Sequence, residues 1–531
     1  MKIKRYLFIL SMCTSFSFGQ SLTNQNSFGG SGDDNLNFFN AYDNTGYYLF
    51  GNSSSDISGN KSANSRGFDD YWIVKTDNEL SLLWDKTFGG SEPDAATDML
   101  VYDNGLFVIG TSYSGISGDK SIESFGAMDI WLLHLSTDGE IVWQAQFGGD
   151  QSESAPRLVD FSDTSMLIIC RSNSGISGNR TVASNGEADI WILEVSKISS
   201  SIIQQKTITG TSIGTIGYVS TNPFNNHIYI GTSAMEGSNG DKSEIGYGSD
   251  DGWLIEIDEN LIIQNEKVFG GSASESIIRS ITFTEENIYV GLSSQSSESG
   301  NKGAAAYSTS SIFPTNDAWL IKLNNDFSIV WDRSFGGNND DYFSGMNIFP
   351  DGNLGLTVAT KSLTNTGNLT INNFGSNTQD IWFVIIDEDG ILLTQRNYGG
   401  SQDDVGLFSQ GNNSDYILVS TSNSSVSGNK TVNGFGSFDT WVSKVDLQEI
   451  LSVESITSNH VSVFPNPASN QLNVVSETEI SSYVIVDISG KVVLNSSEST
   501  ISNNLDIDIS NLQAGIYYLK LNDVRVKFSK F

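Results

Sequence analysis

The chain is poor in cysteine and histidine, and this shortage excludes several classes of site. Only two of its 531 residues are cysteines, Cys13 and Cys170. Because Cys13 lies in an N-terminal segment that we interpret as a leader, the mature chain would keep Cys170 alone, with neither an internal disulfide nor a cysteine-based zinc site. Cys170 ends an apolar run and is expected to be a buried thiol. The three histidines lie in unrelated contexts and form no metal-ligating group.

Positive charge is also scarce. The chain has 28 lysines and arginines against 62 aspartates and glutamates, a formal net charge of −34. A field of this sign repels the phosphates of nucleic acids and of anionic lipids. The sequence therefore argues against nucleic acid as a partner.

Long hydrophobic runs are missing, and the one at the N-terminus is short. Basic residues at 2–5 precede an apolar run at 6–12, and small residues follow up to Gly19. The run is too short to cross a bilayer, and the layout is that of a secretory signal peptide. We predict a signal peptide over residues 1–19, an extracytoplasmic mature chain and no membrane insertion.

The chain contains a repeated sequence pattern. An aspartate two residues before a tryptophan recurs every 59 to 66 residues, at Asp70, Asp129, Asp189, Asp251, Asp317, Asp380 and Asp439. An aromatic-Gly-Gly motif keeps the same period, starting at Phe28, Phe88, Phe147, Phe269, Phe335 and Tyr398, with Ile208 at the degenerate seventh place. A fixed period of this length is the signature of a repeat architecture.

One repeat, residues 88–147, shows the strand pattern. Short apolar segments at 95–102, 106–111, 129–136 and 141–147 are separated by turn-forming Asn-Gly and Asp-Gly pairs and by a long polar loop. Four antiparallel strands per unit, repeated seven times, predict an all-β fold, a seven-bladed β-propeller over residues 20–447. The last unit has only three strands, so residues 22–28 are expected to supply its fourth strand and close the ring.

Tryptophans and their aspartates keep register with the repeat. Seven tryptophans follow the aspartates, and Trp84, Trp143 and Trp331 lie in fourth strands. Residues that recur with every unit are expected to form the core between blades. The aspartates are expected to accept backbone N–H bonds at the loop-to-strand junction.

At this point the repeat resembles a known family. Phe88-Gly89-Gly90-Ser91 with Asp94, a following Asn-Gly turn and the segment at 108–112 are similar to the bacterial β-propeller repeat called SBBP. The resemblance extends over residues 21–447, and the fourth unit departs from it at Ile208 and Gly214. It implies the propeller fold and an extracytoplasmic setting, and it implies no defined activity.

The last seventy residues follow another pattern. Short strands and turns from residue 460 predict a small β-sandwich of the Ig-like kind, after a linker at 448–459. This segment resembles the type A C-terminal sorting domain of the type IX secretion system. The motif positions carried over from that family are Pro465, Asn466, Pro467, Gly490, Lys491 and Gly515. The resemblance implies export by the type IX machinery, removal of the domain by its sortase-like protease, and a product that is secreted or held on the cell surface.

The links between blades and the loops between second and third strands carry the candidate site residues. An acid stands four residues after the second glycine of each link except at Gly214: Asp34, Asp94, Glu153, Glu275, Asp341 and Asp404. The loops carry a base except at Leu369: Lys61, Lys120, Arg180, Lys242, Lys302 and Lys430. Three interpretations stay open: the acids cap their own turns, they pair with the bases, or they ligate calcium, which prefers several oxygens in flexible loops.

Aromatic residues of the same loops, Phe125, Tyr247 and Phe435, either stack on sugars or anchor the loops. The loop at 293–316 is the longest and breaks the pattern, so specificity is expected there. We interpret the protein as a binding protein for a polysaccharide or a cell-surface ligand. The alternative is a polysaccharide-processing enzyme that uses carboxylates such as Asp340 and Asp341. The acids recur with the repeat, whereas chemistry needs one asymmetric constellation, and this favours binding.

Overall fold

The computed structural model describes residues 22–42, 46–102, 105–184, 188–307, 314–410, 416–446, 461–480, 482–487, 491–495, 502–521 and 524–531. All regular structure in these ranges is β-strand, and none of them contains a helix. The all-β prediction is therefore confirmed. The predicted signal peptide, the linker at 448–459 and Gly490 lie outside the described residues.

Twenty-eight strands occupy the described part of the repeat region. Their bounds are β1 Leu22–Phe28, β2 Asp34–Tyr42, β3 Gly46–Ser53, β4 Asp70–Thr76, β5 Leu82–Phe88, β6 Asp94–Tyr102, β7 Gly105–Ser112, β8 Asp129–Leu135, β9 Ile141–Phe147, β10 Glu153–Asp160, β11 Ser165–Ser172, β12 Asp189–Ser196, β13 Ile202–Ile208, β14 Tyr218–Thr221, β15 Ile228–Met235, β16 Asp250–Ile257, β17 Ile263–Phe269, β18 Ser280–Phe283, β19 Asn287–Ser294, β20 Asp317–Asn324, β21 Ile329–Phe335, β22 Asp341–Ile348, β23 Leu354–Thr360, β24 Asp380–Ile386, β25 Leu392–Tyr398, β26 Asp404–Gln410, β27 Tyr416–Ser422 and β28 Asp439–Val445.

These strands form four-stranded antiparallel sheets of the kind that β-propellers contain. Within the described residues there are seven such sheets, and six of them take their strands in chain order, from β2-β3-β4-β5 to β22-β23-β24-β25. The seventh has the order β1-β28-β27-β26, so the N-terminal strand pairs with the last strand of the repeat region. Within each sheet the first and last strands do not pair with each other.

The burial pattern explains why each sheet stacks on its neighbours. Both faces of the two middle strands are covered, and β7 and β8 are buried along their whole length. The last strand of each sheet, such as β9, alternates between exposed and half-buried residues near its start. The first strands of successive sheets touch each other, and β2 also touches β26 and β27. Each sheet is thus covered on both faces by other sheets.

The seven tryptophans of the Asp-x-Trp strands are fully buried, as expected. They pack between sheets: Trp131 of β8 belongs to the same apolar cluster as Tyr48 and Phe50 of β3. Trp84, Trp143 and Trp331 are only half-buried, because they lie on the outermost strand of their sheets. The Cys170 thiol is fully buried, and this burial raises its pKa well above the usual range.

The C-terminal segment forms two further sheets. Its strands are β29 Val461–Phe464, β30 Gln471–Ile480, β31 Tyr483–Asp487, β32 Val492–Asn495, β33 Ser502–Asp508, β34 Gly515–Leu521 and β35 Val524–Lys530. They are arranged as β29-β30-β33 and β32-β31-β34-β35. Side chains of both sheets, including Leu472, Ile507 and Leu519, share one apolar core. Among the described residues, no helix is long and apolar enough to cross a membrane.

Candidate functional site

The links between sheets and the loops between second and third strands meet at one edge of the sheets, here called the loop face. Antiparallel order sends the end of each fourth strand, the start of the next first strand and the second-to-third loop to the same side. Backbone hydrogen bonds join them: the Asn60 N–H donates to the Gly29 carbonyl at 3.1 Å. Neighbouring sheets are therefore connected through their loops as well as their cores.

The link acids are buried at this edge. Five of them are the first residues of β2, β6, β10, β22 and β26, and Glu275 precedes β18. One oxygen of each carboxylate accepts the N–H of the second glycine of its own link, at 2.6 Å for Asp34 and 2.9 Å for Glu275. In Asp34 the same oxygen also accepts the Ser55 hydroxyl of the long loop at 2.7 Å. This geometry is that of a turn cap.

In five units the aspartate of the Asp-x-Trp motif accepts the N–H of the aromatic residue of the long loop, and in the first unit Asp70 accepts the N–H of Arg66 instead. The Asp439 Oδ2 accepts the Phe435 N–H at 2.6 Å, and Asp251 accepts the Tyr247 N–H at 2.7 Å in the same way. The expectation that these aspartates accept backbone N–H bonds is confirmed. One residue type thus fixes both the tryptophan strand and the loop that precedes it.

The first glycine of the aromatic-Gly-Gly motif lies directly against the same aspartate. A Cβ on Gly270 would overlap the Asp251 Oδ1 and would come within 3.0 Å of the Glu275 Oε2. The Oδ1 of this aspartate is buried and accepts no hydrogen bond from the described residues. The motif needs glycine because two carboxyl groups converge on that point.

Two converging carboxyl groups disfavour full ionisation. Burial, with a contribution from the neighbouring Asp341, raises the pKa of Asp317 to about 7. Burial likewise raises the pKa of Asp380 to about 7 and those of Asp70 and Asp341 to about 6. At neutral pH an acid with a pKa of about 7 is therefore partly protonated, whereas an acid with a pKa of about 6 is mostly ionised.

One junction is built differently and serves as an internal comparison. The structure places Ile213, one residue before the predicted Gly214, opposite Ala234, as Glu275 lies opposite Ser294 in the next unit. The link position is therefore apolar here and brings no second carboxyl group to Asp189. Arg180, the only arginine among the loop bases, pairs instead with the Asp189 Oδ2 at 3.3 Å, and both side chains are buried. At this junction a buried cation pairs directly with the aspartate.

The loop bases are buried, which sequence reasoning did not predict. The Lys430 ammonium donates to the Ser424 carbonyl at 2.8 Å and to the Ser422 hydroxyl at 2.7 Å. Burial lowers its pKa. At Leu369 the base is replaced by an apolar side chain that joins the neighbouring core. Within the described residues no link acid makes an ion pair with a loop base.

One oxygen of each link acid accepts hydrogen bonds, whereas the Oδ1 atoms of Asp94, Asp341 and Asp404 are buried and have no donor among the described residues. Gly337 N–H and the Ser362 hydroxyl both donate to the Asp341 Oδ2, at 2.7 Å each. Asp340 accepts the N–H of Asn316 at 3.0 Å. Calcium takes six to eight oxygens, and no described group of three or more metal-ligating side chains converges. The calcium interpretation therefore gains no geometric support from the described residues.

The predicted loop aromatics are both anchored and exposed. Each packs on the Ser-Gly turn of the next sheet's loop: Phe435 on Gly59, Phe125 on Gly178 and Tyr247 on Gly300. Tyr307 and Phe374 make the same contact. The opposite side of the ring stays open to solvent, with Phe435 47% and Tyr247 42% exposed. Part of the long loop at 293–316 lies outside the described residues.

Two features of the loops were missed from the sequence. One is a set of aliphatic side chains at the tip of the Ser-Gly turn, with Ile57 63% exposed, and Ile116, Ile176 and Val426 in the equivalent places. The other is the asparagine after the glycine: Asn60 Oδ1 accepts the Gly29 N–H and its Nδ2 donates to Ser27, at 2.9 and 2.7 Å. The recurring Ile-Ser-Gly-Asn sequence was the available signal for both.

In the C-terminal segment, three motif residues follow β29 and are exposed. Asn466 ties them to β35, since its Nδ2 donates to the Lys527 carbonyl at 3.1 Å and its Oδ1 accepts the Ser529 N–H at 2.9 Å. Gly515 starts β34, and the Lys491 N–H donates to Asp487 at 3.0 Å. The motif thus closes one end of the two-sheet core.

Comparison with known proteins identifies this segment. Residues 462–531 match the family described as Secretion system C-terminal sorting domain. No curated protein matches the chain. Similar solved structures include the Pan2 WD40 domain of Neurospora crassa, at 9% identity and a TM-score of 0.42, covering 80% of this chain and 96% of that one. They also include PorZ, described as a surface component of the type IX secretion system of Porphyromonas gingivalis, at 10% identity and a TM-score of 0.38, covering 95% of this chain and 60% of that one.

The family match confirms the prediction of a type IX sorting domain and of its partner, the secretion machinery. The acidic repeat region of four-stranded sheets is therefore the cargo to which the tail is attached. The chain is a type IX secretion substrate that is exported to the cell surface or the surrounding medium.

Proposed function

We propose that the repeat region is a seven-bladed β-propeller that captures a polysaccharide or another cell-surface ligand on its loop face. Support for the architecture comes from the sheet order and from the pairing of β1 with β28, which joins the two ends of the region. The proposal includes a ring closed by β1, repeats of the SBBP type, a cleaved signal peptide at 1–19, and an Ig-like tail removed by the sortase-like protease.

The observation that carries the binding proposal is the preorganised aromatic ring. The Phe435 backbone is held by Asp439, one side of its ring rests on Gly59, and nearly half of the side chain faces solvent. A ring already fixed in place loses little conformational entropy when a ligand stacks on it. Aromatic rings also provide a large apolar contact area for the C–H face of a sugar.

Exposed apolar side chains at the same face strengthen the argument. The Ser-Gly turns present Ile57, Ile116, Ile176 and Val426 to solvent on loops that are otherwise polar. Recurring exposed apolar groups with polar surroundings mark interaction surfaces. The high negative charge favours a neutral ligand over an anionic polymer at this face.

The test is a glycan array probed with the chain from residue 20 to 531, followed by titration of the best hit. Replacing Phe435 and Tyr247 by alanine should weaken capture about tenfold or more, because each removes an aromatic stacking contact. Phe224→Ala is the matched control, since Phe224 is 54% exposed in a turn at the opposite edge of the sheets. Intact capture by the double variant, with a lowered melting temperature, would show that the rings serve only as loop anchors.

A further inference from the structure

Residues near the loop-face ends of the first and second strands of several sheets line a cavity. Its volume is about 520 Å³, and its lining comes from the sheets that contain β2, β18, β22 and β26. Tyr342, Gln379 and Thr421 contribute polar groups, and Leu36 and Val405 contribute apolar ones. A cavity of this size falls in the range of small-molecule sites.

The position four residues after each link acid breaks the repeat. It is occupied by Phe38, Asp98, Arg157, Gly217, Arg279, Gly345 and Phe408 in the seven units. Core and link positions largely keep their residue type from unit to unit, whereas this one varies in charge and size. An asymmetric position on the innermost strands is where a specific ligand would be distinguished.

The Arg157 side chain is occupied by hydrogen bonds within the fold. Its guanidinium donates to the Thr97 carbonyl at 2.6 Å and to the Gly217 carbonyl at 3.0 Å, so it joins three successive first strands. Asp98 faces it and raises its pKa against the effect of burial. This arginine has structural partners and is not available to a ligand.

Arg279 has no such hydrogen-bond partners and no facing aspartate among the described residues. Among the described residues its guanidinium has no hydrogen bond and no ion pair, although its side chain lines the cavity and is exposed there. The equivalent residue of the next unit is Gly345, which has no side chain to meet it. Surrounding protein and the charge of Arg157 lower its pKa. Arg279 is the one charged residue in the cavity lining.

We propose that this cavity binds a small hydroxylated monoanion of the uronic acid class, with Arg279 on the carboxylate. A guanidinium fork matches a planar carboxylate with two parallel hydrogen bonds. Gln379 and Thr421 suit sugar hydroxyls, and Leu36 and Val405 suit the C–H face of a ring. The site lies on the inner strands, so the proposal is independent of ligand capture by the loop aromatics.

Isothermal titration of the chain from residue 20 to 531 with sodium glucuronate, glucose and sodium sulfate tests the assignment. Glucuronate should bind and glucose should not. Arg279→Gln should weaken glucuronate binding about tenfold or more, since it removes a charge-assisted bidentate contact. Arg279→Lys should give an intermediate loss, because it keeps the charge but not the fork. Arg396→Gln is the matched control, because Arg396 is exposed on the outermost strand β25 and the charge change is identical.

Thermal melting separates a ligand site from a structural role. Because Arg279 has no side-chain partner, Arg279→Gln should leave the melting temperature unchanged. A large drop in that temperature would show that Arg279 holds the fold and would overturn the assignment. Equal binding by wild type and Arg279→Gln, binding of sulfate without glucuronate, or no binding at millimolar glucuronate would each overturn it as well. Loss of capture in the Phe435 and Tyr247 variants leaves this result unaffected.

Discussion

The paired carboxyl groups between sheets predict an unusual dependence of stability on pH. Asp317 is buried, its Oδ2 accepts the Tyr307 N–H at 2.7 Å, and its Oδ1 has no hydrogen-bond donor among the described residues. Asp341 and Asp340 face it with negative charge, and Lys302 faces it with positive charge. Replacing Asp317 by asparagine keeps the acceptor for Tyr307 and removes the titration.

The direction of the pH dependence of stability follows from the raised pKa of Asp317. Asp317 titrates at about 7 in the folded chain, against an ordinary value of 3.8. The folded state therefore binds the proton more tightly than the unfolded state, so the stability that this proton confers is lost as pH rises towards 7. Between pH 5 and pH 8 the loss amounts to about two pKa units, or roughly 2.7 kcal/mol in the free energy of unfolding. The Asp317→Asn chain lacks this loss.

Urea denaturation at pH 5 and pH 8 measures the effect. Asp317→Asn should be more stable than wild type at pH 8, and the advantage should shrink or reverse at pH 5. Asp163→Asn is the control, because Asp163 is an exposed turn residue and its loss changes the net charge equally. An Asp317→Asn effect that is the same at both pH values would refute the explanation from the raised pKa of Asp317.

Four further outcomes are expected. Deleting the C-terminal sorting domain should retain a folded chain in the periplasm, which cell fractionation detects; unchanged delivery to the medium would contradict the assignment. Removing residues 20–30 takes away β1 with its buried ends and should lower the melting temperature, at ~1.5–3 kcal/mol per buried apolar side chain. Gly89→Ala would force a Cβ into the Asp70 carboxylate and should cost ~1–3 kcal/mol, whereas Gly115→Ala, which meets only a distant side chain, should change stability by less than about 0.5 kcal/mol. Adding a chelator should leave the melting temperature unchanged, because no group of calcium ligands converges among the described residues. A calcium site would instead add ~2.7 kcal/mol to the stability when free calcium is at a hundredfold excess over the dissociation constant.

The repeat period was enough to predict the strands, because each unit shows the same alternation and the same turns. The strands of residues 88–147 agree with the structure within one residue at each end, and the pairing of β1 with β28 was expected from the missing strand of the last unit. The aspartate before Trp131 was correctly placed as an acceptor of backbone N–H bonds, from Phe125 and Gly126. These features depend on the residue pattern within one unit and on the number of strands in each unit.

Features that depend on contacts between units could not be found this way. The sequence did not predict the burial of Lys61 and Lys120, whose ammonium groups donate to carbonyl oxygens of their own loops. Likewise, the sequence could not show that the Phe435 ring packs on Gly59 while nearly half of the side chain stays exposed. Sequence spacing says which residues recur, but not which two recurring residues meet.

The pairing of β1 with β28 has a consequence for the order in which the sheets form. The two strands are separated by more than 400 residues of sequence. Until β28 is in place, β1 has no strand with which to share its backbone hydrogen bonds. A chain that ends anywhere before β28 therefore keeps an unpaired strand at β1, and an unpaired edge of this kind can pair with another chain.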